Sequence, residues 1–241
     1  MDNRMGTFYG IGVGPGEPDL ITLKAAKVLA KVDMIFTASS SKNKHSLAVD
    51  IAREHIPEAT PVIRLSFPMC MDKTLLQQAW ENNAVLIVET LKQGKDAAFL
   101  TLGDCMTYST YGYLGRYVKK LAPEVVMVAI PGITSYQAAA ARLNRPLVEG
   151  EEALLILSGV CGGDRFRELS RSAENVVFMK AYKNVSDITR ALEERGCLET
   201  SVGISSCGLP EERIIGDVRE FENIAPDYWT LIFSKQQNPN E

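Results

Sequence analysis

The stretch Gly10-Ile11-Gly12-Val13-Gly14-Pro15-Gly16-Glu17-Pro18-Asp19 decides how the fold of this chain is interpreted. It closes the apolar segment 7–13 and precedes an amphipathic pattern that starts after Asp19, so it predicts a turn from a strand into a helix. Glycines at such a turn let a ligand approach the backbone, and the helix N-terminus offers free N–H groups. A tight turn without a ligand is the alternative.

This glycine series differs from a dinucleotide-binding fingerprint. Pro15 lies inside it, and the second predicted strand ends in Phe36-Thr37-Ala38-Ser39, which holds no acidic residue for a ribose hydroxyl. No lysine of the phosphate-binding loop type follows the glycines. The stretch therefore indicates a glycine turn of another kind.

Working outward, the chain alternates apolar strands with helical patterns. Further strands are predicted at 32–37, 62–65, 97–102 and 125–130, with helices at 46–55, 73–93, 113–121 and 135–143. Uniformly apolar strands separated by helices predict a parallel sheet covered on both faces. After a pause at Asn144-Arg145-Pro146, a second series has strands at 153–157, 176–179, 201–205 and 228–234 and helices at 164–170 and 185–195. We therefore predict an α/β protein of two α/β domains, residues 1–146 and 147–241.

Composition narrows the class of protein. The 241 residues suit two domains, and 46% hydrophobic with 23% charged residues is ordinary globular composition. No apolar run approaches the roughly 20 residues of a membrane span, and no signal-peptide core precedes the first strand. The net charge of −4, from 26 basic and 30 acidic residues, gives a nucleic-acid partner no electrostatic support. We expect a cytoplasmic enzyme that binds neither membrane nor nucleic acid.

The cysteines point to neither a disulfide framework nor a metal site. There are five, an odd number, at positions 70, 105, 161, 197 and 207. Their irregular spacing contains no CxxC pair, so we expect no protein-bound metal.

A second motif, Leu102-Gly103-Asp104-Cys105-Met106-Thr107-Tyr108-Ser109-Thr110, follows an apolar strand. Open α/β sheets bind ligands outside the carboxyl ends of their strands, so an acidic residue followed by hydroxyls is well placed there. The alternative is that Asp104 only caps the next helix.

A third motif, Ile130-Pro131-Gly132-Ile133-Thr134-Ser135-Tyr136, again joins a strand to a helix. Thr134 or Ser135 could cap that helix or bond the polar end of a ligand. Three glycine-containing loops at strand ends of one domain indicate a shared crevice more strongly than any one of them does.

Taken in order, GIGVGPGEPDLIT, GDCMTYST and PGITS resemble the S-adenosylmethionine-dependent tetrapyrrole methylases of the cobalamin and sirohaem pathways. The resemblance runs from Tyr9 to about Ile232. Within that family it is most similar to the precorrin-2 or cobalt-factor II C20-methyltransferases, on the stretch 46–72, on Phe99-Leu100-Thr101-Leu102-Gly103-Asp104 and on Tyr108-Ser109-Thr110-Tyr111. One departure is Cys105, because relatives usually have proline there.

The resemblance implies a kidney-shaped, homodimeric protein in which S-adenosylmethionine lies folded in the cleft between the two domains. It implies methylation of C20 of cobalt-factor II or precorrin-2 in cobalamin biosynthesis. The alternatives are another ring position, the acceptors of the diphthine-forming and ribosomal-RNA relatives, and a non-catalytic tetrapyrrole-binding module.

The resemblance also assigns residues to the cofactor and to the substrate. For the cofactor these are Leu102, Gly103, Asp104, Thr107, Tyr108, Thr134, Ser135, Lys180 and Gly208. Pro15 matches the proline that shapes the substrate trough. Because the tetrapyrrole carries eight carboxylates, basic side chains should bind it, and the candidates are Lys42, Lys44, Arg116, Arg142, Lys180 and Lys183. Of these, Lys44 and Lys180 are the preferred pair, since each follows a predicted strand or strand-end loop.

The chemistry requires alignment more than strong acid–base catalysis. A methyl group on a cationic sulfur transfers in line to an electron-rich carbon, so a rigid cleft that aligns donor and acceptor is the main requirement. A proton then leaves C20 to water or to a weak base such as Asp104 or Tyr228. The catalytic candidates are accordingly Asp104, Lys180 and Tyr228.

Overall fold

The computed structural model describes residues 4–39, 46–68 and 72–236. The chain divides into two compact units, Met1–Thr134 and Ser135–Glu241. The boundary expected from the sequence, after Pro146, falls further along the chain, beyond helix α5 (Ser135–Arg142).

The first unit is built on a fully parallel sheet of five strands in the order β3-β2-β4-β1-β5. The strands are β1 (Phe8–Gly12), β2 (Met34–Ser39), β3 (Val62–Ser66), β4 (Ala97–Thr101) and β5 (Met127–Ile130). The connecting helices are α1 (Leu23–Leu29), α2 (Leu47–Ala52), α3 (Lys73–Lys92) and α4 (Thr110–Leu121). The predicted parallel sheet is confirmed.

Helices cover both faces of this sheet, as the apolar strands predicted. On one face, Phe36 and Phe99 pack with Ile87 of α3 and Leu114 of α4. On the other face, residues of opposite parity pack with α1 and α2; these are Ile11, Ile35 and Leu100 from the strands and Leu29 and Ile51 from the helices.

Short polar side chains set where these helices begin. The Thr22 hydroxyl accepts a hydrogen bond from the Ala25 amide (3.2 Å), and the Asp72 carboxylate accepts from the Thr74 amide (2.8 Å) at the start of α3. Gly94, with φ of +76°, follows the end of α3 in the left-handed conformation that glycine adopts without strain.

The second unit contains a mixed sheet in the order β6-β7-β10-β8-β9. Its elements after α5 are β6 (Leu154–Ser158), α6 (Asp164–Leu169), β7 (Asn175–Met179), α7 (Val185–Glu194), β8 (Val202–Ser205), β9 (Arg213–Ile215) and β10 (Leu231–Lys235). Only β6 and β7 are parallel, and the other three pairs are antiparallel. Phe166, Phe178, Leu192 and Ile232 form the centre of its core.

One strand has no sequence prediction. β9 lies inside the charged stretch 211–220 and pairs with β8 at the edge of the sheet. Two isoleucines flanked by charges give too short an apolar run to indicate a strand, and an edge strand needs only one partner. Across the described residues, no helix is both long and apolar enough to cross a bilayer.

Candidate functional site

Three loops lie at the carboxyl edge of the first sheet. The first loop (13–18) follows β1, the second loop (102–109) follows β4 and the third loop (131–134) follows β5. Because β4, β1 and β5 are adjacent and parallel, their loops emerge side by side. The three motifs therefore lie side by side at this edge, as a shared crevice requires.

Backbone hydrogen bonds join the first and second loops. The Gly14 amide donates to the Gly103 carbonyl (3.2 Å), and the Gly103 amide donates to the Gly14 carbonyl (2.7 Å). Both residues have positive φ, +90° and +68°, which glycine adopts without strain. This pair of bonds fixes the spacing of the two loops.

Two further glycines allow the loops to approach each other. A Cβ atom added at Gly12 would lie 2.5 Å from the Gly103 carbonyl oxygen, and one added at Gly132 would lie 2.2 Å from the same atom. Neither distance is sterically possible for a Cβ atom. Close packing of the loops therefore accounts for part of the glycine pattern seen in the three motifs.

Asp104 joins the second loop to the third. One carboxylate oxygen accepts from the Gly132 amide (3.1 Å), and the other accepts from the Met106 amide (2.8 Å) and the Thr107 hydroxyl (3.2 Å). Among the described residues, no lysine or arginine lies within 4 Å of this carboxylate. An acidic group without a basic partner at a strand end suits a ligand that carries positive charge.

Asp104 is not the cap of helix α4, so that alternative is wrong. The Ser109 hydroxyl is the cap and accepts from the Tyr111 amide at 3.2 Å. The carboxylate is thereby left to hold the loops.

Cys105, where the family resemblance led us to expect proline, is a structural residue. Its side chain is buried, and its thiol donates to the Ile130 carbonyl oxygen at 3.3 Å. Burial, with a smaller contribution from the Asp104 carboxylate, raises the pKa of Cys105 to about 11. The thiol is therefore protonated at neutral pH, which disfavours a role as a nucleophile.

The remaining candidates of the first unit divide by exposure. Leu102 and Thr107 are partly buried, Pro15 and Thr134 are buried, and Tyr108 is half-exposed with φ of +48°. Non-glycine residues with positive φ are uncommon and occur at ligand-binding sites more often than elsewhere.

Other predicted residues lie elsewhere. Ser135 is the first residue of α5 in the second unit. Arg116 is exposed on α4, with its guanidinium 4.6 Å from the centre of the Tyr113 ring. Lys42 and Lys44 lie outside the described residues.

In the second unit, three segments meet at one end of the sheet: 180–182 after β7, 205–208 from the last residue of β8 onward, and 227–230 before β10. They meet because β10 is antiparallel to both β7 and β8. The Ala181 amide donates to the Thr230 carbonyl (2.9 Å), and the hydroxyls of Ser205 and Thr230 are 2.6 Å apart.

Lys180 and Tyr228, both candidates from the sequence, lie close together here. The Lys180 ammonium is 5.7 Å from the centre of the Tyr228 ring, and Tyr182 packs edge-on against that ring at 5.3 Å. The Lys183 ammonium is 5.5 Å from the Tyr182 ring. We call Lys180, Tyr182, Lys183 and Tyr228 the aromatic–lysine cluster.

Gly208 lies on the loop after β8. It has φ of +76°, and its amide donates to the Glu212 carboxylate (2.8 Å). Burial raises the pKa of Glu212, but the Gly208 amide and the Arg142 guanidinium, 2.6 Å away, outweigh burial and hold that pKa below its usual value. Arg142, one of the proposed carboxylate-binding residues, is thus engaged in an ion pair.

Sequence reasoning missed three residues at this end of the second sheet: Tyr182, Ser206 and Asp227. Ser206 has φ of +52°, and its hydroxyl donates to the Asp227 carboxylate at 2.8 Å. About 20 residues separate them along the chain, so no local spacing indicated their contact.

Comparisons with known proteins find relatives over most of the chain. The family model described as Tetrapyrrole (Corrin/Porphyrin) Methylases matches residues 7–222. The cobalt-precorrin-2 C(20)-methyltransferase of Salmonella typhimurium is 31% identical over 96% of this chain and 97% of its own length. A protein of Methanocaldococcus jannaschii named "Probable cobalt-precorrin-2 C(20)-methyltransferase" is 37% identical over 81% of this chain and 80% of its own.

The fold has solved counterparts. The uroporphyrin-III C-methyl transferase of Thermus thermophilus, complexed with S-adenyl homocysteine, superposes with a TM-score of 0.72 at 19% identity. The match covers 95% of this chain and 92% of that one. At this identity the likeness concerns the fold.

Proposed function

Because the chain belongs to the tetrapyrrole methylase family, we propose that it methylates C20 of cobalt-factor II or precorrin-2 with S-adenosylmethionine, in cobalamin biosynthesis. The observation that carries this proposal is the 31% identity to a C20-methyltransferase over nearly the full length of both chains. The cobalt-loaded substrate is favoured, because both relatives described above are named for it. Cobalt enters with the macrocycle as part of the substrate.

The loops of the first unit suit the methionine part of the cofactor. The residues proposed for it are Leu102, Gly103, Asp104, Thr107, Tyr108 and Thr134 of these loops, together with Ser135 at the start of α5. Lys180 and Gly208 are proposed for the adenosine part. S-adenosylmethionine supplies, when bound, a transferable methyl group on a cationic sulfur. The fit rests on Asp104, whose carboxylate has no basic partner in the described chain and is held in place by three hydrogen bonds.

Asp104, Lys180 and Tyr228 are the proposed catalytic residues. The loops align the reactants, which is the larger part of the task for an in-line methyl transfer. After the transfer, the proton on C20 leaves to water or to a weak base, and the Asp104 carboxylate and Tyr228 hydroxyl are the protein groups proposed for it. The Lys180 ammonium, beside the Tyr228 ring, favours negative charge at that end of the second sheet.

The aromatic–lysine cluster supports a planar, polyanionic substrate. Tyr228 of this cluster and the neighbouring Trp229 are 41% and 38% exposed, so their rings can contact a flat macrocycle. Lys180 and Lys183 can pair with acetate or propionate arms. Pro15 and Arg116 remain proposed substrate contacts, as does Lys44.

Calorimetric titration with S-adenosylhomocysteine tests cofactor binding. We expect saturable heat and a rise in the unfolding temperature, since a ligand that binds only the folded state stabilises it. Absence of both effects would contradict the proposal.

Product analysis tests the position. Incubation with cobalt-factor II and, in parallel, with metal-free precorrin-2 should yield a product heavier by one methyl group, which NMR places on C20. A methyl group elsewhere on the ring would support the alternative acceptor position.

A further inference from the structure

A cavity of about 580 Å³ lies in the first unit between helix α2 and the edge strand β3. Its lining consists of Ser46, Val49, Asp50, Arg53, Val62 and Arg64. None of these residues belongs to the three loops described above. The cavity is therefore a separate feature of this unit, with two arginines in its wall.

Arg64 lies on the edge strand β3, and its side chain is exposed. Side chains alternate along β3, so that Ile63 and Leu65 pack in the core on the side of α3 and α4, while Val62 packs on the side of α1 and α2. Arg64 has the parity of Val62 and therefore points to the α2 side. At this edge of the sheet the α2 side is open to solvent, so the guanidinium of Arg64 can reach a ligand in the cavity.

Arg53 approaches the same cavity from α2. The helix packs Ala48, Ile51 and Ala52 against the sheet, which leaves Val49, Asp50 and Arg53 to line the opening. Within the described chain, neither arginine forms an ion pair within 4 Å, and Asp50 forms none either. The wall thus carries two positive charges and one negative charge, and this net positive charge favours a bound anion.

We propose that this cavity binds a small organic polycarboxylate through the guanidinium groups of Arg53 and Arg64. Guanidinium forks match the geometry of carboxylates. The volume falls in the range of roughly 300–1,000 Å³ typical of small-molecule sites, far more than an inorganic ion fills. Val49 and Val62 supply apolar contact for a carbon skeleton.

Two sources share this chemistry. One is a free di- or tricarboxylate, which would make the cavity an effector site. The other is an acetate or propionate arm of the tetrapyrrole, and this source rests on the proposed function, whereas the first does not.

Calorimetric titration with two probes, citrate and uroporphyrin III, tests the proposal on the full chain. The variants are Arg53→Gln/Arg64→Gln, Arg64→Lys, and Arg171→Gln as a control, because Arg171 is exposed in the second unit and lies outside the cavity. S-adenosylhomocysteine binding, measured on each variant, reports folding and separates a failure here from a failure of the proposed function.

We expect the double variant to bind one of the probes about tenfold more weakly or worse, with Arg64→Lys intermediate and Arg171→Gln unchanged. An effect confined to citrate identifies a free polycarboxylate as the ligand, and one confined to uroporphyrin III identifies the substrate arms. The proposal is overturned if the wild-type protein binds neither probe, or if the double variant binds both as tightly as the wild type does.

Discussion

At the scale of single residues, Asp104 combines two tasks. Its carboxylate accepts hydrogen bonds from one group in the third loop and two in the second, and it carries a negative charge without a basic partner in the described chain. The motif indicated an acidic residue at a strand end, but the bond to Gly132 joins residues 28 positions apart and could not be predicted from spacing.

Asp104→Ala should lower both stability and activity. Loss of the acceptor leaves the Gly132 and Met106 amides without their partner, which costs about 1–3 kcal/mol in free energy of unfolding. Methyl transfer should fall more than about tenfold, since the loops lose their alignment. Chemical denaturation measures the loss of stability, and initial rates measure the loss of activity. Asp104→Asn keeps one acceptor oxygen, so both its stability and its activity should lie between those of the wild type and Asp104→Ala.

Asp96→Asn is the matched control for Asp104. Asp96 accepts from the Thr7 amide (2.7 Å) just before β1, at the opposite edge of the same sheet. The Asp96→Asn substitution should lower the free energy of unfolding without weakening S-adenosylhomocysteine binding. Equal loss of binding in both variants would show that Asp104 acts only through stability.

Gly132→Ala should destabilise the first unit, because the added Cβ would lie 2.2 Å from the Gly103 carbonyl oxygen. We expect a loss above about 2 kcal/mol, as for other overpacking substitutions. Gly112→Ala is the control: it lies within α4 with nothing within 4 Å of the added atom, and it should raise stability by about 0.5–1 kcal/mol. Equal unfolding midpoints for the two variants would refute the close approach of the loops.

At the scale of secondary-structure elements, Arg167 links α6 to α7. Its guanidinium pairs with Asp187 (3.0 Å) and Glu194 (2.7 Å), both on α7, and the Gly163 amide donates to Asp187 at 2.8 Å. The side chain of Arg167 is 28% exposed, so these pairs are partly shielded from solvent. The amphipathic patterns predicted both helices, but not the side chain that joins them.

Arg167→Gln should destabilise the protein in a pH-dependent way. Hydrogen bonds from Arg167 hold the pKa values of Asp187 and Glu194 below their usual 3.8 and 4.5. A lowered pKa in the folded state contributes stability above the unfolded pKa, and that stability is lost as the pH falls through the folded pKa. The unfolding temperature of Arg167→Gln should therefore lie furthest below that of the wild type at pH 6–7, and the difference should shrink below about pH 4.

Arg165→Gln on the same helix provides the comparison for Arg167. Its pair with Glu168 is exposed on both sides (66% and 59%), and such pairs contribute little. Thermal unfolding from pH 3 to 7 should show a clearly smaller effect. A pH-independent difference for Arg167→Gln would argue that packing, not charge, links the helices.

At the scale of the whole molecule, large apolar side chains remain exposed on α3 and α4. Leu75, Leu86, Tyr113 and Leu121 are between 45% and 55% exposed. The resemblance to the family implies a homodimer, and we propose these side chains as candidates for its interface.

Sedimentation equilibrium should give a mass near 53 kDa, twice the 26.5 kDa of one chain. Charged substitutions at Leu75 and Tyr113 should shift the protein towards the monomer. A mass of one chain at micromolar concentration would rule out a stable dimer.

The sequence by itself determined the two series of strands and helices apart from β9, the parallel direction of the strands in the first sheet, the three glycine loops and the family. These follow from local periodicity, from glycine at strand ends and from ordered motifs, all of which are written within short windows of the chain. The edge strand β9, the grouping of Lys180 with Tyr182 and Tyr228, and the Arg53–Arg64 cavity were decided only by the tertiary structure. Each of these features depends on which distant segments become neighbours. Antiparallel strand pairing and the side of the sheet on which a helix packs decide those neighbours, and spacing along the chain does not reveal them.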